Sequence, residues 1–482
     1  MLAPHRETHP SVVQLSPERR LNLLALISLI FFTTCGGAFG LEPLVGAVGP
    51  GWAVMLIFIT PLAWSLPAAL MAAELTTLMP EEGGYYIWVR EALGSFCAVQ
   101  QAWWTMTISV VWLAMSPALF VSYFTFFATS IARLLGAPDL SISVSRWPLA
   151  VLFIASGVAL NLRGAREVGR STKVSSYIVL ASFVLLVLVW LKVGPMPSVV
   201  DFIRRDLASS HKGALLLGLS YIIYNTSGWE NASTYADEVD EPRHNYPRAL
   251  AVALLVMILC YLLPVIAGVS TTSDPAVWNS DAGWPVIAQR IGGRWLGSLL
   301  AGAGLISTMG LFNAQLLYVS RLPVVLACDG WLPQVFANLS RGTAVPKVAL
   351  ISIGAITALF AALSFGSLAI IQCLLYAASL TFEFLALLVL RIRCPGAHRA
   401  FRVPGGWLGM AYVCLTPSGF AALVLFSILG DWRSFPGQLF VVGIVLASGG
   451  VLYLSGMASR FATTQRVLRR HQILPRLRPG AW

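Results

Sequence analysis

The chain has 482 residues, of which 57% are hydrophobic and only 11% are charged, and its mean hydropathy is +0.76. A soluble globular protein of this size needs more charge to solvate its surface, so that class is excluded. The formal net charge is +11, but most of the 32 Lys and Arg residues fall in segments expected on one side of a membrane. This distribution argues against a nucleic-acid ligand and favours a charged membrane surface.

About twelve apolar runs are each long enough to cross a bilayer, which takes about 20 apolar residues. They begin near Leu21, Trp52, Phe96, Trp147, Thr172, Gly213, Arg248, Trp295, Ala344, Gly366, Leu408 and Gly437. The longest connections, 192–212 and 270–294, are no longer than one span. The sequence therefore predicts an all-α polytopic membrane protein without an attached soluble domain. The excess of Lys and Arg on one side predicts that both termini are cytoplasmic.

Two of the predicted spans are interrupted near their middle. The first contains "TTCGGAFGLEP" at 33–43, and the sixth contains Asn225, Thr226, Ser227 and Gly228 within 219–239. Non-helical backbone survives at membrane depth only where protein or a water-filled cavity satisfies it. Glycines alone could instead mark close helix packing. Two interruptions five spans apart, in halves of opposite orientation, favour an inverted repeat with a binding site between the halves.

Four acidic residues fall inside spans: Glu42, Glu74, Glu230 and Glu383. A buried carboxylate in a membrane normally has a function or a partner, and no Lys, Arg or His is expected at comparable depth. Glu42 and Glu230 adjoin the interruptions, so they are predicted to hold a cationic ligand or to carry a proton. Glu74 is predicted to form a structural ion pair or cap near Arg90. Glu383 could carry a proton or pair with a cytoplasmic arginine.

The interruptions also offer backbone groups to a ligand. Free N–H groups at the start of a half-helix attract a carboxylate, and unpaired carbonyls accept hydrogen bonds from an ammonium group. Aromatic side chains beside them could wall the cavity or hold a cation, although ordinary packing is the alternative. The predicted substrate site comprises Gly36, Gly37, Ala38, Phe39, Gly40, Glu42, Tyr224, Asn225, Ser227, Gly228, Trp229 and Glu230.

Four segments carry a family resemblance: "CGGAFGLE", "AAELTTLMPEEGGYYIWV", "GWENASTYADEVDEPRHNYPRAL" and "LRIRCPGAHRAFRVP". Over roughly 21–429 the chain resembles the amino acid–polyamine–organocation transporter superfamily, and is most similar to its polyamine/proton symporter branch, which includes plant uptake transporters. The resemblance implies a LeuT-like fold, with a five-plus-five inverted repeat, interrupted helices 1 and 6, and two further helices. The implied parts are a cytoplasmic tail 1–20, repeats 21–193 and 213–393, helices 11 and 12 at 408–458, and a basic cytoplasmic tail 459–482.

The resemblance also implies residue roles. Tyr224 matches a gating aromatic, and Glu230 matches a glutamate that is proton-sensitive in some relatives. Three positions depart from the pattern. Ala38 stands where the polyamine branch usually has proline, Ala68 where plant members carry glutamate, and Ala181 where many amino-acid permeases carry lysine.

The sequence therefore predicts proton-coupled symport of polyamines or cationic amino acids across the plasma membrane, with Glu230, Glu42 and Glu383 as proton-coupling residues. The expected partners are a small amine or amino-acid substrate, protons and the lipid bilayer. No catalytic residue, metal ligand or cofactor is predicted, so an enzyme is disfavoured. A neutral amino-acid permease or exchanger of the same fold is the alternative, and a channel or transport-like sensor is the alternative from another class.

Overall fold

The computed structural model describes residues 20–136, 146–193, 212–280, 282–340, 343–361, 365–430, 433 and 436–473. The predicted N-terminal tail and most of the predicted connection 192–212 lie outside these ranges, as do the last nine residues of the basic tail. Within them the chain is helical, and its one β-bridge pairs Leu21 with Val239.

The first half of the chain contains eight α-helices and one π-helical turn in its described residues. They are α1 (Leu23–Thr34), α2 (Glu42–Val48), α3 (Pro50–Thr60), a π-helical turn (Pro61–Ser65), α4 (Leu66–Leu78), α5 (Tyr85–Leu93), α6 (Ser95–Leu134), α7 (Arg146–Asn161) and α8 (Ala165–Val193).

The second half begins after the undescribed residues that follow α8. Its described elements are α9 (Lys212–Asn225), a 3-10 helix (Asn231–Glu238), α10 (Pro242–Thr271), α11 (Pro275–Trp278), α12 (Gly283–Gly292), α13 (Arg294–Val319), α14 (Leu322–Cys328), a second 3-10 helix (Gln334–Ala337), α15 (Lys347–Phe360), α16 (Phe365–Arg393), α17 (Gly406–Gly430) and α18 (Pro436–Ile473).

Each of the twelve predicted apolar runs contains a helix. Among the described residues, eight helical segments are long and apolar enough to cross a membrane: 50–78, 95–133, 165–193, 242–271, 294–328, 371–393, 406–423 and 436–457. Three further predicted runs contain the shorter apolar helices α1, α7 and α15, and the remaining run contains α9. Large apolar side chains such as Val184 and Leu255 are exposed on the outer surface, as contact with lipid requires. The prediction of an all-α polytopic membrane protein is confirmed.

The connections contain more structure than the sequence indicated. Helix α5 lies between the second and third spans, and α11 and α12 occupy the predicted connection 270–294. Helix α5 ends at Gly94, whose φ of 90° lies in the left-handed region that glycine adopts without strain. Gly293 ends α12 in the same way, with a φ of 84°. These short helices cover the ends of the spanning helices.

The bridge between Leu21 and Val239 joins the start of α1 to the end of the first 3-10 helix. The Leu21 N–H donates to the Glu238 carbonyl oxygen at 2.8 Å, and the Asp240 N–H donates to the Leu21 carbonyl oxygen at 2.9 Å. Asn22 caps α1 by accepting a hydrogen bond from the Ala25 N–H at 2.9 Å. The two interrupted spans are therefore linked at one end of the molecule, as well as at their breaks.

Candidate functional site

The breaks in the first and sixth spans lie against each other. The Asn225 side-chain amide donates to the Gly40 carbonyl oxygen at 3.0 Å, which connects the end of α9 to the first break. The Tyr261 hydroxyl on α10 donates to the carbonyl oxygens of both Cys35 and Asn225. The sequence predicted that the two interruptions form one site, and these contacts join them.

Gly228 allows the closest approach between the two breaks. Its φ is 101°, and a Cβ atom placed on it would lie 2.6 Å from the Thr33 carbonyl oxygen and 3.3 Å from the Trp112 ring. Both the backbone conformation and the available space therefore require glycine here. Gly36, Gly37 and Gly40 also have positive φ angles, of 64°, 99° and 92°. The glycines act as chain breakers, as predicted, and do not serve helix packing alone.

Side chains from other helices satisfy the carbonyl groups of the first break. The Ser307 hydroxyl on α13 donates to the Gly36 carbonyl oxygen. The Trp284 indole N–H on α12 donates to the Ala38 carbonyl oxygen at 2.7 Å. Buried backbone groups without a partner are costly, so these donors stabilise the non-helical segment.

Glu42 begins α2 and holds the first break from its other side. Its carboxylate accepts hydrogen bonds from the Gly40 N–H at 2.7 Å, the Tyr123 hydroxyl at 2.8 Å and the Trp284 N–H at 3.4 Å. The side chain is only 2% exposed. In this arrangement its oxygens already have three donors, so Glu42 stabilises the break and does not present an open carboxylate to a ligand.

Glu230 lies at the second break and has one side-chain donor. The Tyr376 hydroxyl on α16 donates to its Oε2 atom at 2.8 Å and accepts a hydrogen bond from the Gly228 N–H at 2.8 Å. Glu230 is 1% exposed, and among the described residues no Lys, Arg or His forms an ion pair with it. A buried carboxylate without a basic partner must bind a proton or a cation to avoid an uncompensated charge.

Glu383 lies two helical turns beyond Tyr376 on α16. Its Oε1 atom accepts a hydrogen bond from the Gln101 amide at 2.8 Å, and among the described residues its Oε2 atom has no partner. Gln101 also lies 3.3 Å from Ser379, whose hydroxyl is 2.6 Å from that of Thr105. The predicted alternative of an arginine partner for Glu383 is wrong, because its donor is a neutral amide.

These groups form a polar seam between two apolar helices. On α16 its members share one helix face because they are spaced three and four residues apart. On α6 the spacing is four residues. The polar seam consists of Tyr376, Ser379 and Glu383 on α16 and of Gln101, Thr105 and Ser109 on α6. At about 1.5 Å rise per residue it extends about 10 Å along α16 from Tyr376 to Glu383.

Glu74 forms the predicted structural ion pair, but with other partners than expected. Its carboxylate accepts a hydrogen bond from Arg391 at 2.8 Å and lies 3.1 Å from the Arg399 guanidinium. Arg90 instead pairs with Asp329 at 2.7 Å. The expectation that no basic residue lies as deep as these acids is also wrong for Glu74, because the guanidinium of the buried Arg391 contacts its carboxylate. Glu74 links α4 to the end of α16 and is not part of the site.

A second buried arginine lies beside the end of the 3-10 helix that follows the second break. Arg321 is 1% exposed and donates to Glu238 at 2.7 Å. Glu82, in the connection between α4 and α5, lies beside this pair and Asp237. Burial raises the pKa of the Glu82 carboxyl to about 8, the charges of Asp237 and Glu238 add to the shift, and Arg321 opposes it. Three acids thus surround one base here.

Aromatic rings surround the joined breaks. Tyr224 packs against Trp112 on α6, with ring centroids 5.6 Å apart. Phe39 packs against Phe183 with centroids 4.8 Å apart. The Trp229 indole donates to the Thr226 carbonyl oxygen at 2.9 Å, so it also stabilises the break. Tyr224 and Trp112 therefore form an aromatic pair beside Gly228 and the second break.

All twelve predicted site residues are buried. The sequence did not identify the other residues that contact the breaks or form the polar seam, among them Gln101, Trp112, Tyr261, Trp284 and Tyr376. Gln101 could have been found, because a glutamine in an apolar span is unusual. The other four of these are aromatic residues, and a buried aromatic residue in an apolar run gives no sequence signal of a site.

Comparison with known proteins adds the family context. A family model described as amino acid permease matches residues 21–453. The polyamine transporter RMV1 of Arabidopsis thaliana is 31% identical over 409 residues, which cover 84% of this chain and 80% of that protein. The polyamine transporter PUT1 of Oryza sativa subsp. japonica is 32% identical over 412 residues, covering 85% and 74%. The human cystine/glutamate transporter is 23% identical over 418 residues, covering 82% and 78%.

Proposed function

Because the chain belongs to the amino acid permease family, we propose that it is a secondary active transporter of small cationic amines, either polyamines or basic amino acids, driven by protons. Two of the relatives described above are named polyamine transporters. The observation that carries the proposal is Glu230, a buried acid at the joined breaks whose described surroundings contain no basic partner. A cationic substrate would supply the missing charge.

The substrate contacts follow from the same geometry. The Glu230 carboxylate would bind an ammonium group directly, and the faces of Trp112 and Tyr224 would surround the methylene chain and part of the charge. Carbonyl groups of the first break, such as that of Gly40, would accept further hydrogen bonds. Helix breaks at membrane depth are where transporters of this type place their ligands.

Protons would reach Glu230 through the polar seam. The Tyr376 hydroxyl touches Glu230, and the seam continues from there to Glu383. For symport the proton and the cation must be bound together, so a cation at Glu230 would be accompanied by a proton on Glu383, whereas a proton on Glu230 itself would compete with the cation and give exchange. We place Glu42 third among the proposed proton-coupling residues because three donors already occupy its oxygens. One proton crossing 100 mV supplies about 2.3 kcal/mol, enough for about fiftyfold accumulation of a neutral solute.

We also propose the membrane arrangement. The protein would reside in the plasma membrane with both termini cytoplasmic, following the distribution of Lys and Arg. Residues 21–193 and 213–393 would form the two inverted repeats, and 408–458 two additional helices. The segments 1–20 and 459–482 would be cytoplasmic tails, the second lying on anionic lipid.

A neutral amino-acid permease or exchanger is the second candidate. The human cystine/glutamate transporter and the mouse b(0,+)-type amino acid transporter 1 are both 23% identical to this chain, so amino-acid carriers share the family. In a neutral carrier the α-amino group would lie near Glu230 and the α-carboxylate near the free N–H groups of a half-helix.

Substrate competition separates the two candidates. The purified protein is reconstituted into liposomes with an imposed pH gradient, and uptake of labelled spermidine or leucine is challenged with putrescine, spermidine, arginine and leucine. We expect saturable, gradient-dependent uptake that only the cationic compounds inhibit. Competition by leucine alone would contradict the first proposal and support the second. Flux without saturation or counterflow would instead indicate a channel.

The Glu230→Gln variant tests the role of the carboxylate. We expect the variant to lose cation binding at every pH. We also expect the pH gradient no longer to accelerate its uptake of substrate, because binding and acceleration depend on the same carboxylate. Glu91→Gln is the matched control, since Glu91 is 48% exposed and lies away from the breaks. If Glu230→Gln retains substrate binding and loses only the pH effect, Glu230 couples protons without contacting the substrate.

A further inference from the structure

A positively charged cavity lies outside the proposed transport site. It has a volume of about 320 Å³ and lies between the start of α1 and the first turns of α8. Its lining includes four basic residues and one acid, together with the backbone around Leu21 and Asn22. The charged residues are Arg20, Arg166, Arg170, Lys173 and Asp240.

The positive charge of this cavity is largely uncompensated. Arg170 has a Glu167 carboxylate 3.7 Å away, but this pair is exposed and contributes little. Among the described residues, Arg20, Arg166 and Lys173 have no carboxylate within ion-pair distance. Four cations held around one concave surface repel one another unless an anion joins them.

The position of the cavity indicates what the anion is. Helix α8 is long and apolar enough to span the membrane, so its first turns lie at the membrane boundary, at the depth of lipid headgroups. The N-terminal end of α8 at Ala165 adds the positive end of a 29-residue helix dipole. Basic cavities at the ends of spanning helices suit phosphate-bearing groups.

We propose that this cavity binds a phosphate group, carried by an anionic lipid headgroup or by a soluble phosphate compound. The bound phosphate joins Arg20, which precedes α1, to the basic side chains of α8, beside the bridge between Leu21 and Val239, and Asp240 is the one lining group that repels it. Gly169 on α8 already packs closely here, because a Cβ atom on it would lie 2.7 Å from the Leu21 side chain. Phosphate binding therefore holds these elements together. The proposal does not depend on which substrate is transported.

The test compares lipid and soluble ligands on the full-length protein. Thermal unfolding is measured in nanodiscs of phosphatidylcholine alone and with added phosphatidylinositol 4-phosphate, and in detergent with inorganic phosphate or inositol trisphosphate. The Arg166→Gln/Lys173→Gln variant removes two cations from the cavity. Arg146→Gln/Arg294→Gln removes two exposed cations from the starts of α7 and α13 and serves as the control.

We expect phosphatidylinositol 4-phosphate to raise the unfolding temperature of the wild type and of the control. The cavity variant should bind it about twenty-fivefold more weakly, at about fivefold for each basic side chain removed. Stabilisation by the lipid alone identifies a headgroup site, and equal stabilisation by inositol trisphosphate identifies a soluble ligand. The proposal is overturned if no phosphate compound stabilises the wild type, or if the cavity variant responds as the control does. If the Arg166→Gln/Lys173→Gln variant does not fold, Arg20→Gln/Arg170→Gln tests the same loss of positive charge from the cavity.

Discussion

Replacing Gly228 with alanine tests whether transport requires the close approach of the two breaks. Two costs follow from the structure. The residue has a φ of 101°, and a side chain in this region costs about 1–3 kcal/mol. The new Cβ atom would also lie 2.6 Å from the Thr33 carbonyl oxygen, where ordinary contact begins at 3.4 Å, so the breaks must separate by about 0.8 Å.

This separation falls within the proposed substrate site. Misplacing binding groups by about 1 Å can reduce a rate by about a hundredfold, so the initial uptake rate of Gly228→Ala should fall about tenfold to hundredfold. Uptake is measured in liposomes containing equal amounts of correctly folded protein. Thermal unfolding of the same samples reports the cost in stability.

Two matched glycines separate the contributions. Gly94 has a φ of 90° but no atom within 4 Å of its would-be Cβ, so Gly94→Ala introduces strain without collision. Gly443, within α18, has neither a positive φ nor a close neighbour. Gly94→Ala should unfold at a lower temperature yet transport normally, and Gly443→Ala should transport normally without a loss of unfolding temperature. If Gly228→Ala transports like Gly94→Ala, the close approach of the breaks is not required and the reasoning is refuted.

Three further predictions concern the polar groups. Tyr376→Phe should lower proton-driven uptake about a hundredfold, because Glu230 and the Gly228 N–H each lose a hydrogen bond of about 1.4 kcal/mol; uptake with and without a pH gradient checks this. Arg391→Ala should destabilise the protein by about 3–5 kcal/mol by leaving a buried charge short of a partner, measured as thermal unfolding in detergent; unchanged unfolding would contradict it. Because the pKa of Glu82 is raised in the folded state, ionisation of its carboxyl lowers the free energy of unfolding. This loss of stability is absent below pH 4.5, grows as the pH rises to about 8, and is constant above that pH. Glu82→Gln should therefore stabilise the protein more at pH 8.5 than at pH 5.5, and a gain equal at both values would disprove the assignment.

The breaks could be predicted from the sequence because their residues contradict their surroundings. Glycines at 36, 37 and 40, and a polar run at 225–228, have no reason to interrupt apolar helices unless the interruption is used. The twelve spans were predictable for the related reason that bilayer thickness fixes the length of an apolar run. These signals are local, so a single sequence contains them.

The partners of the buried groups could not be predicted in the same way. Glu74 and Arg391 are 317 positions apart, and only the packing of α16 against α4 selects this arginine in place of Arg90. Tyr376 and Trp112 lie in long, mostly apolar runs, where an aromatic residue facing the site resembles one facing lipid. The short helices α5 and α12 were missed because neither is long enough to produce a membrane-span signal.

The hydrogen bond from Trp284 to the Ala38 carbonyl oxygen has a consequence for measured affinities. The indole occupies a backbone acceptor at the first break, so a substrate ammonium of the proposed kind that bound there would compete with a group tethered to the protein itself. A tethered group acts at an effective concentration set by its attachment, which for short connections is about millimolar. The apparent binding free energy of such a substrate would therefore be the difference between the free energies of two binding reactions, that of the substrate and that of the indole. Substitutions in α12, which need not touch the substrate, could retune it without altering the breaks themselves.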